Sequence, residues 1–186
     1  MQEIKKSDIP KEYLQLYEQV EKAIRPSQLR VLLDTDKKDL FHAVTEHNTD
    51  NNFIITLFAE TAEPLLLTRE LLRIYYNKKV LRRIVYCSDV GFIAIIASEI
   101  QNLLDQKWIV AEQKRRFPDL DVNMIHANLR NYEFKSETPF IELVKAVICF
   151  TEVMVVYPDI YEENRTHLEE KFPREMEYAR QLASCF

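Results

Sequence analysis

The first third of the chain carries apolar residues at the spacing of amphipathic helices. Between residues 11 and 24 they recur every three or four positions, which places them on one helix face. They are Tyr13, Leu16, Tyr17, Val20 and Ile24. The apolar positions of residues 36–47 and 51–63 also gather on one side of a helical projection. The pattern therefore predicts three helices before Pro64.

The rest of the chain keeps the same period, and prolines and polar caps divide it. Ser88 or Asp89 is the expected N-cap of a long helix toward Arg116, and Pro173 is the expected start of the last helix. Helices are predicted over residues 68–87 (one kinked helix or two), 88–116, 122–131 and 139–157, and within the polar segment 159–186.

Residues 138–160, TPFIELVKAVICFTEVMVVYPDI, form the most apolar stretch. A membrane-spanning helix needs about 20 apolar residues, and each charged side chain near its centre costs roughly 2.5–3.5 kcal/mol. Because the stretch contains Glu142, Lys145 and Glu152, we expect no membrane span. The charged side chains share one narrow arc, which we expect to face water, and the other faces are apolar. Residues 139–157 are therefore predicted to form the central helix of the fold.

The scarcity of glycine gives further evidence about the fold class. The 186 residues include one glycine, Gly91. Glycine supplies the positive φ of tight hairpin turns, and the glycine motifs of common nucleotide-binding loops are missing. The sequence therefore predicts an all-α fold, a single irregular bundle of about eight to ten helices around helix 139–157. Residues 1–186 form one helical domain in this prediction, with the polar segment 159–186 packed on it.

Charge and cysteine content indicate a soluble protein of the cytoplasm. The net charge of −5 argues against general nucleic-acid binding. The three cysteines, Cys87, Cys149 and Cys185, are widely spaced, which suits reduced thiols better than a disulfide framework. The first residues also lack the apolar core of a signal peptide. We therefore expect a cytoplasmic location.

A cluster of basic and aromatic residues at positions 69–83 is the main candidate for a binding surface. Arginine and tyrosine dominate the energetics of protein interfaces, and acidic residues concentrate near the C-terminus of this chain. We expect the cluster to bind a protein partner. An alternative is a nucleic-acid-associated helical protein that uses the same cluster. The candidate residues are Arg69, Arg73, Tyr76, Lys78, Lys79, Arg82 and Arg83.

Three glutamates provide an enzymatic alternative. Glu60 and Glu63 have the spacing E-x-x-E, and Glu99 falls on the apolar seam of the long helix. Helical nucleotide pyrophosphohydrolases hold Mg²⁺ with oxygen ligands in this kind of arrangement. The second acidic motif is incomplete, because Asn102 stands where an aspartate is needed. The alternative function is Mg-dependent hydrolysis of a nucleotide by Glu60, Glu63 and Glu99.

The established catalytic motifs are missing from the sequence. It contains no His-Glu-x-x-His, no Glu-x-x-His and no His-Asp pair. Cys149 lies one helical turn from Lys145, whose ammonium would favour a thiolate if it were close, but a buried packing cysteine is the competing interpretation. We therefore predict an intracellular, non-enzymatic helical protein without a cofactor. It would act by macromolecular binding, as a regulatory, adaptor or inhibitor-like subunit.

Overall fold

The computed structural model describes residues 1–35, 43–47, 52–58, 63–77, 91–131 and 139–186. Within these ranges the chain forms four β-strands and seven α-helices. It divides into two compact units. Unit 1 comprises Met1–Arg82 and Glu112–Asp121, and unit 2 comprises Arg83–Ala111 and Val122–Phe186.

Unit 1 contains a mixed four-stranded sheet. Its strands are β1 (Gln2–Ile4), β2 (Leu29–Leu33), β3 (Ala43–His47) and β4 (Phe53–Leu57). They lie in the order β1-β2-β4-β3. The β1–β2 and β3–β4 pairs are antiparallel, and the β2–β4 pair is parallel. Among the described residues, β3 is therefore an edge strand.

Two helices pack against one face of this sheet, α1 (Lys11–Ile24) and α2 (Pro64–Asn77). Buried side chains alternate along β2, and Ile55 and Leu57 repeat that alternation on β4. This is the pattern of strands covered on one face. The five apolar positions predicted for the first helix are all buried on α1, which confirms that helix.

Unit 2 is helical throughout the part of it that is described. Its helices are α3 (Gly91–Arg116), α4 (Asn123–Arg130), α5 (Pro139–Val156), α6 (Pro158–Lys171) and α7 (Pro173–Ala183). The division between the units falls within α3, because the residues from Glu112 onward belong to unit 1. Helix α5 packs against α6 and α7, and α4 packs against α6. The apolar face of α5 supplies Ala146, Phe150 and Val153 to the buried core.

The prediction of an all-α bundle is wrong. Residues 36–47 and 51–63, which were expected to be helical, contain β3 and β4, and the sheet also includes β1 and β2. The β-branched and aromatic residues of Phe53–Leu57 fit a pleated surface, and this preference outweighs a short helical period. The glycine argument fails because a sheet can form without tight hairpins: helix α1 lies between β1 and β2, and β2 and β4 are parallel.

Several helix predictions are confirmed. The apolar helix predicted at 139–157 is α5, the long helix toward Arg116 is α3, and Pro173 begins the last helix. The central position predicted for helix 139–157 belonged to the all-α bundle and is wrong with it. No helix in the described ranges has the length and apolar character needed to cross a bilayer. The described chain has seven α-helices where about eight to ten were expected.

Candidate functional site

Helix α2 carries the described members of the predicted partner-binding cluster, and its first turn is fixed in unit 1. Gln113 Nε2, on the last turns of α3, donates to the Leu65 carbonyl at 2.8 Å and to Thr68 Oγ1 at 2.6 Å. Thr68 Oγ1 in turn donates to the Pro64 carbonyl at 2.6 Å. Leu71 and Leu72 are fully buried. These contacts fix the orientation of α2 about its axis. They therefore determine which face of the helix carries the polar residues after its first turn.

A fully buried carboxylate, Glu70, lies at the centre of the polar face of α2, with its side chain 0% exposed. Arg73 Nη1 donates to both of its oxygens, at 2.8 and 3.0 Å. Arg69 Nε lies 3.6 Å from Oε1, and Thr45 Oγ1 donates to Oε2 at 2.8 Å. A buried carboxylate is stable only when cations and donors surround it. We call Thr45, Arg69, Glu70 and Arg73 the Glu70 cluster.

The Glu70 cluster joins α2 to the edge strand β3. Thr45 lies at the middle of β3, 25 residues before Glu70 in the chain. Thr45 and Arg73 both donate to Glu70 Oε2. The Glu70 carboxylate therefore lies between the Arg73 guanidinium and this strand. The cluster therefore fixes β3 and places a cationic side chain beside it.

The spacing of Arg69, Glu70 and Arg73 is that of a His-Glu-x-x-His helix, with arginine at both histidine positions. In that motif the two imidazoles ligate Zn²⁺ and the glutamate acts as a general base. A guanidinium group stays protonated and only donates hydrogen bonds, so it cannot ligate a cation. The two arginines therefore neutralise Glu70 and cannot serve as metal ligands. The sequence contains this signal as Arg-Glu-x-x-Arg, but a search for histidines misses Glu70.

Arg73 keeps donor capacity beyond its bonds to Glu70. Its Nε atom is buried and has no hydrogen-bond partner among the residues that the structure describes. Its side chain is nevertheless 19% exposed. A buried donor without an acceptor costs about 1–3 kcal/mol. Together with Nη2, Nε forms the edge of a guanidinium that binds carboxylates in a bidentate manner.

Tyr76 belongs to a second cluster, at the C-terminal ends of α2 and α3. Its hydroxyl donates to Glu112 Oε1 at 2.9 Å and accepts from Arg116 Nη2 at 3.2 Å. Arg115 and Arg116 also donate to Glu112, at 2.7 Å. The hydrogen bond from Arg115 is the largest cause that lowers the pKa of Glu112 to about 2. Burial raises the pKa of Tyr76, and its bond to Glu112 adds to that rise.

The described members of the predicted basic surface therefore take part in interactions inside unit 1. The side chains of Arg69 and Arg73 are only 11% and 19% exposed, and Tyr76 is bonded to α3. Lys78, Lys79, Arg82 and Arg83 lie outside the described residues. The structure thus places Arg69 and Arg73 around the buried Glu70, and Tyr76 beside the partly exposed Glu112. The role of the other four stays a prediction.

The acidic residues of the enzymatic alternative are only partly described. Glu63 precedes α2 and is partly exposed, Glu60 lies outside the described residues, and the side chain of Glu99 on α3 is likewise outside them. Within the ranges given above, no three His, Cys, Asp or Glu side chains gather in a way that could hold a metal ion. The Mg²⁺ site of Glu60, Glu63 and Glu99 stays a prediction.

The polar arc of α5 does not face water along its whole length. Glu142 is buried, Lys145 is exposed, and Cys149 and Glu152 are partly exposed. Burial raises the pKa of the Cys149 thiol to about 12, and the charge of Glu152 acts in the same direction. Burial therefore favours the neutral thiol at Cys149 over the thiolate that a nearby Lys145 would stabilise.

Asn164 on α6 is another of the buried polar residues of unit 2. Its Nδ2 donates to the Ile160 carbonyl at 2.8 Å and lies 3.1 Å from His126 Nδ1 on α4. Its Oδ1 accepts from Arg130 Nε at 3.2 Å. The side-chain amide thus has partners for both its donors and its acceptor, so this group links α4 to α6 and has a structural role.

Comparison with protein-family models, curated proteins and solved structures finds no match for this chain. Two neighbouring features of unit 1 bear on function, the edge strand β3 and the Glu70 cluster beside it.

Proposed function

We propose that the protein is non-enzymatic and acts by binding another protein, which pairs an extended segment with strand β3. The observation that supports this proposal is the position of β3. It hydrogen-bonds to β4 on one side and has no neighbouring strand on the other side within the described residues. Its Val44 side chain is 40% exposed.

An edge strand binds an extended peptide through its backbone amide and carbonyl groups, and its exposed side chains add specificity. Proteins commonly protect such edges with charged residues. On β3 the exposed residues Glu46 and His47 follow Val44. The bond from Thr45 to Glu70 holds the strand in place before any partner arrives, which lowers the entropy cost of pairing. Strand β3 is therefore held in place by the protein and offers an edge with which a partner segment can pair.

The chemistry of α2 supports binding over catalysis. A general base has to reach the proton that it removes, whereas Glu70 is fully buried and surrounded by donors. The two arginines at the ligand positions of a zinc helix donate and do not coordinate. A regulatory, adaptor or inhibitor-like subunit fits this arrangement.

Photo-crosslinking of the full chain tests the proposal. p-Benzoylphenylalanine would replace Val44 in one variant and Tyr178 in a control. Tyr178 is 43% exposed, lies on α7 in unit 2 and has no place in the proposed surface. In an extract of the source cells, we expect a covalent adduct with a protein from the Val44 variant and none of the same mass from the Tyr178 variant.

Two results would contradict the proposal. The first is the absence of a Val44 adduct, or an identical adduct from both variants. The second is catalysis by the purified chain. If it hydrolysed a nucleoside triphosphate with Mg²⁺, and Glu60→Gln or Glu99→Gln abolished that activity, the enzymatic alternative would replace the binding function.

A further inference from the structure

We infer that the segment bound along β3 carries a lysine or arginine beside Glu46 and an apolar side chain beside Val44. This inference rests on the proposed function and adds the chemistry of the partner to it. Three observations carry it. Val44 and Glu46 are exposed on one face of the sheet, Glu46 has no cation next to it among the described residues, and the other edge of that face holds a paired carboxylate.

Val44 and Glu46 lie on the face of the sheet opposite to the one that α1 and α2 cover. Successive side chains of a strand point to opposite faces, and Thr45, which lies between these two residues, donates to Glu70 on α2. The accessibility of the two side chains agrees with this assignment, because Val44 is 40% exposed and Glu46 is also exposed. Both are therefore open to the side chains of a segment that pairs with β3.

On the side of β4, Glu46 has an apolar neighbour. The register of the β3–β4 pair places Ile54 directly across from Glu46 and Thr56 directly across from Val44. Neither of these β4 side chains carries a charge, and Glu46 forms no ion pair within the described ranges. A cation for this carboxylate would therefore come from the open side of β3, where the bound segment runs.

The other edge of the same face shows such a pair within the chain. Glu3 on β1 accepts from Arg30 on β2, whose Nε and Nη2 lie 2.8 and 2.9 Å from its two oxygens. Glu3 lies directly across from Leu32, so Arg30 is its diagonal neighbour. Arg30 in turn lies across from Ile54, on the face of Glu46. One edge thus has a carboxylate with a cross-strand guanidinium, and the β3 edge has a carboxylate without one in the described part of the chain.

A segment added to β3 would place its side chains at the spacing of cross-strand pairs. Neighbouring strands are about 4.8 Å apart, and the Cβ atoms of directly opposite residues are about 4.5–5.5 Å apart. Opposite charges and pairs of β-branched or aromatic residues stabilise such positions, whereas like charges destabilise them. We therefore expect a basic residue beside Glu46 and a β-branched or aromatic residue beside Val44.

The order of these two residues in the segment follows from its direction. Antiparallel pairing is slightly more stable per residue than parallel pairing and is more frequent. In an antiparallel segment, the residue beside Glu46 precedes the residue beside Val44 by two positions. The expected motif is therefore a lysine or arginine, then any residue, then a β-branched or aromatic residue.

A peptide selection tests the inference with a defined probe. A phage library of random peptides would be selected on the immobilised full chain, and the binders would be synthesised. We expect the motif in those peptides that crosslink to p-benzoylphenylalanine at position 44. Replacing the basic residue by glutamate should weaken binding to the wild-type chain by about tenfold in fluorescence anisotropy, because an attractive pair becomes a repulsive one.

Glu46→Lys reverses the charge on β3, so this variant should bind the glutamate peptide more tightly than the basic peptide. Glu46→Gln should bind the two within about twofold of each other. Glu12→Lys is the matched control, because this exposed glutamate lies on α1, which packs against the other face of the sheet, and its replacement changes the net charge equally. It should keep the preference for the basic peptide. Circular dichroism checks that each variant is folded.

The outcomes distinguish the inference from the function on which it rests. Peptides that crosslink at position 44 but show no preference for a basic residue would overturn the inference and leave the β3 proposal standing. The same holds if Glu46→Lys and Glu12→Lys change the preference equally, since the net charge of −5 would then explain it. A selection that yields no peptide crosslinking at position 44 would overturn both. Crosslinking of the Val44 variant to a second copy of itself would also overturn both.

Discussion

Among the charged residues that the structure describes, Glu70 is the most completely buried, so its carboxylate must be compensated by protein groups. Arg73, Arg69 and Thr45 supply that compensation from α2 and β3. Removing one partner from such a group leaves the others buried with unbalanced charge. The effect of a substitution here should therefore exceed that of an exposed ion pair.

Glu70→Gln is expected to lower the free energy of unfolding by about 3–5 kcal/mol, because Arg73 and Arg69 would lose the charge that they neutralise. Urea denaturation monitored by circular dichroism measures the change. Glu46→Gln on β3 is the control, since Glu46 is exposed and should change stability by less than about 0.5 kcal/mol. Equal effects of the two substitutions would show that the Glu70 cluster contributes little.

Cys149 is expected to be unreactive toward thiol reagents, because its pKa is raised to about 12. At pH 8 only about one thiol in ten thousand would be a thiolate. In a Cys87→Ser chain, an aromatic disulfide reagent should titrate the exposed Cys185 quickly. Cys149 should react only after denaturant is added. Two equivalents of fast reaction in the folded chain would contradict the raised pKa of this thiol.

At the scale of elements, the ends of α2 and α3 are joined by ionic hydrogen bonds around Glu112. Arg116 extends the link to α1, where its Nη1 donates to Gln19 Oε1 at 3.0 Å. The carboxylate of Glu112 thus joins α2 to α3, and Arg116 joins that pair to α1. The lowered pKa of Glu112 makes this link sensitive to acid.

The contribution of Glu112 should be present above pH 4.5 and lost as the pH falls toward 2, because its pKa is about 2 in the folded chain and 4.5 is its usual value. Arg115 is 68% exposed, so solvent weakens its share of the pairing. We expect about 1–2 kcal/mol. Urea unfolding at pH 7 and pH 3 measures it, with Glu112→Gln as reference. Wild type and variant losing equal stability on acidification would contradict the assignment.

The elements that could be predicted from the sequence are those with local signals. The periods of α1, α3 and α5 lie within single segments, and Pro173 marks the start of α7. The sheet could not be predicted in this way. β2 gave no helical or strand prediction because its partners, β1 and β4, are distant in the chain, and β3 was wrongly assigned to a helix. Pairing between strands that are distant in the chain produces no periodic pattern within either segment alone.

The candidate site was predictable only in part, for a similar reason. Arg69 and Arg73 could be selected from their charge, but their engagement with Glu70 depends on Thr45, 25 residues away in the chain. Tyr76 likewise depends on Glu112, 36 residues later. A basic run in a sequence does not reveal whether its charges face solvent or a buried acid. That distinction needs the packing of α2 against β3.

At the scale of the whole molecule, each unit has buried apolar residues of its own. We therefore expect Glu70→Gln to act on unit 1 alone. In hydrogen–deuterium exchange, amides of α1, β2, β4 and α2 should lose protection, whereas amides of α5, α6 and α7 should exchange as in the wild type. Mass spectrometry of peptic fragments resolves the two sets. An equal loss of protection in both units would show that the chain unfolds as one cooperative body.

The division of the chain within α3 has a consequence for biosynthesis. Unit 1 is complete only when residues 112–121 are available, because Gln113 closes the first turn of α2 and Glu112 holds Tyr76. A nascent chain that has released only its first 82 residues from the ribosome lacks these contacts. Unit 1 therefore gains its full set of contacts only after α3 has been synthesised, and a gene fragment that ends at Arg82 does not encode unit 1 in full.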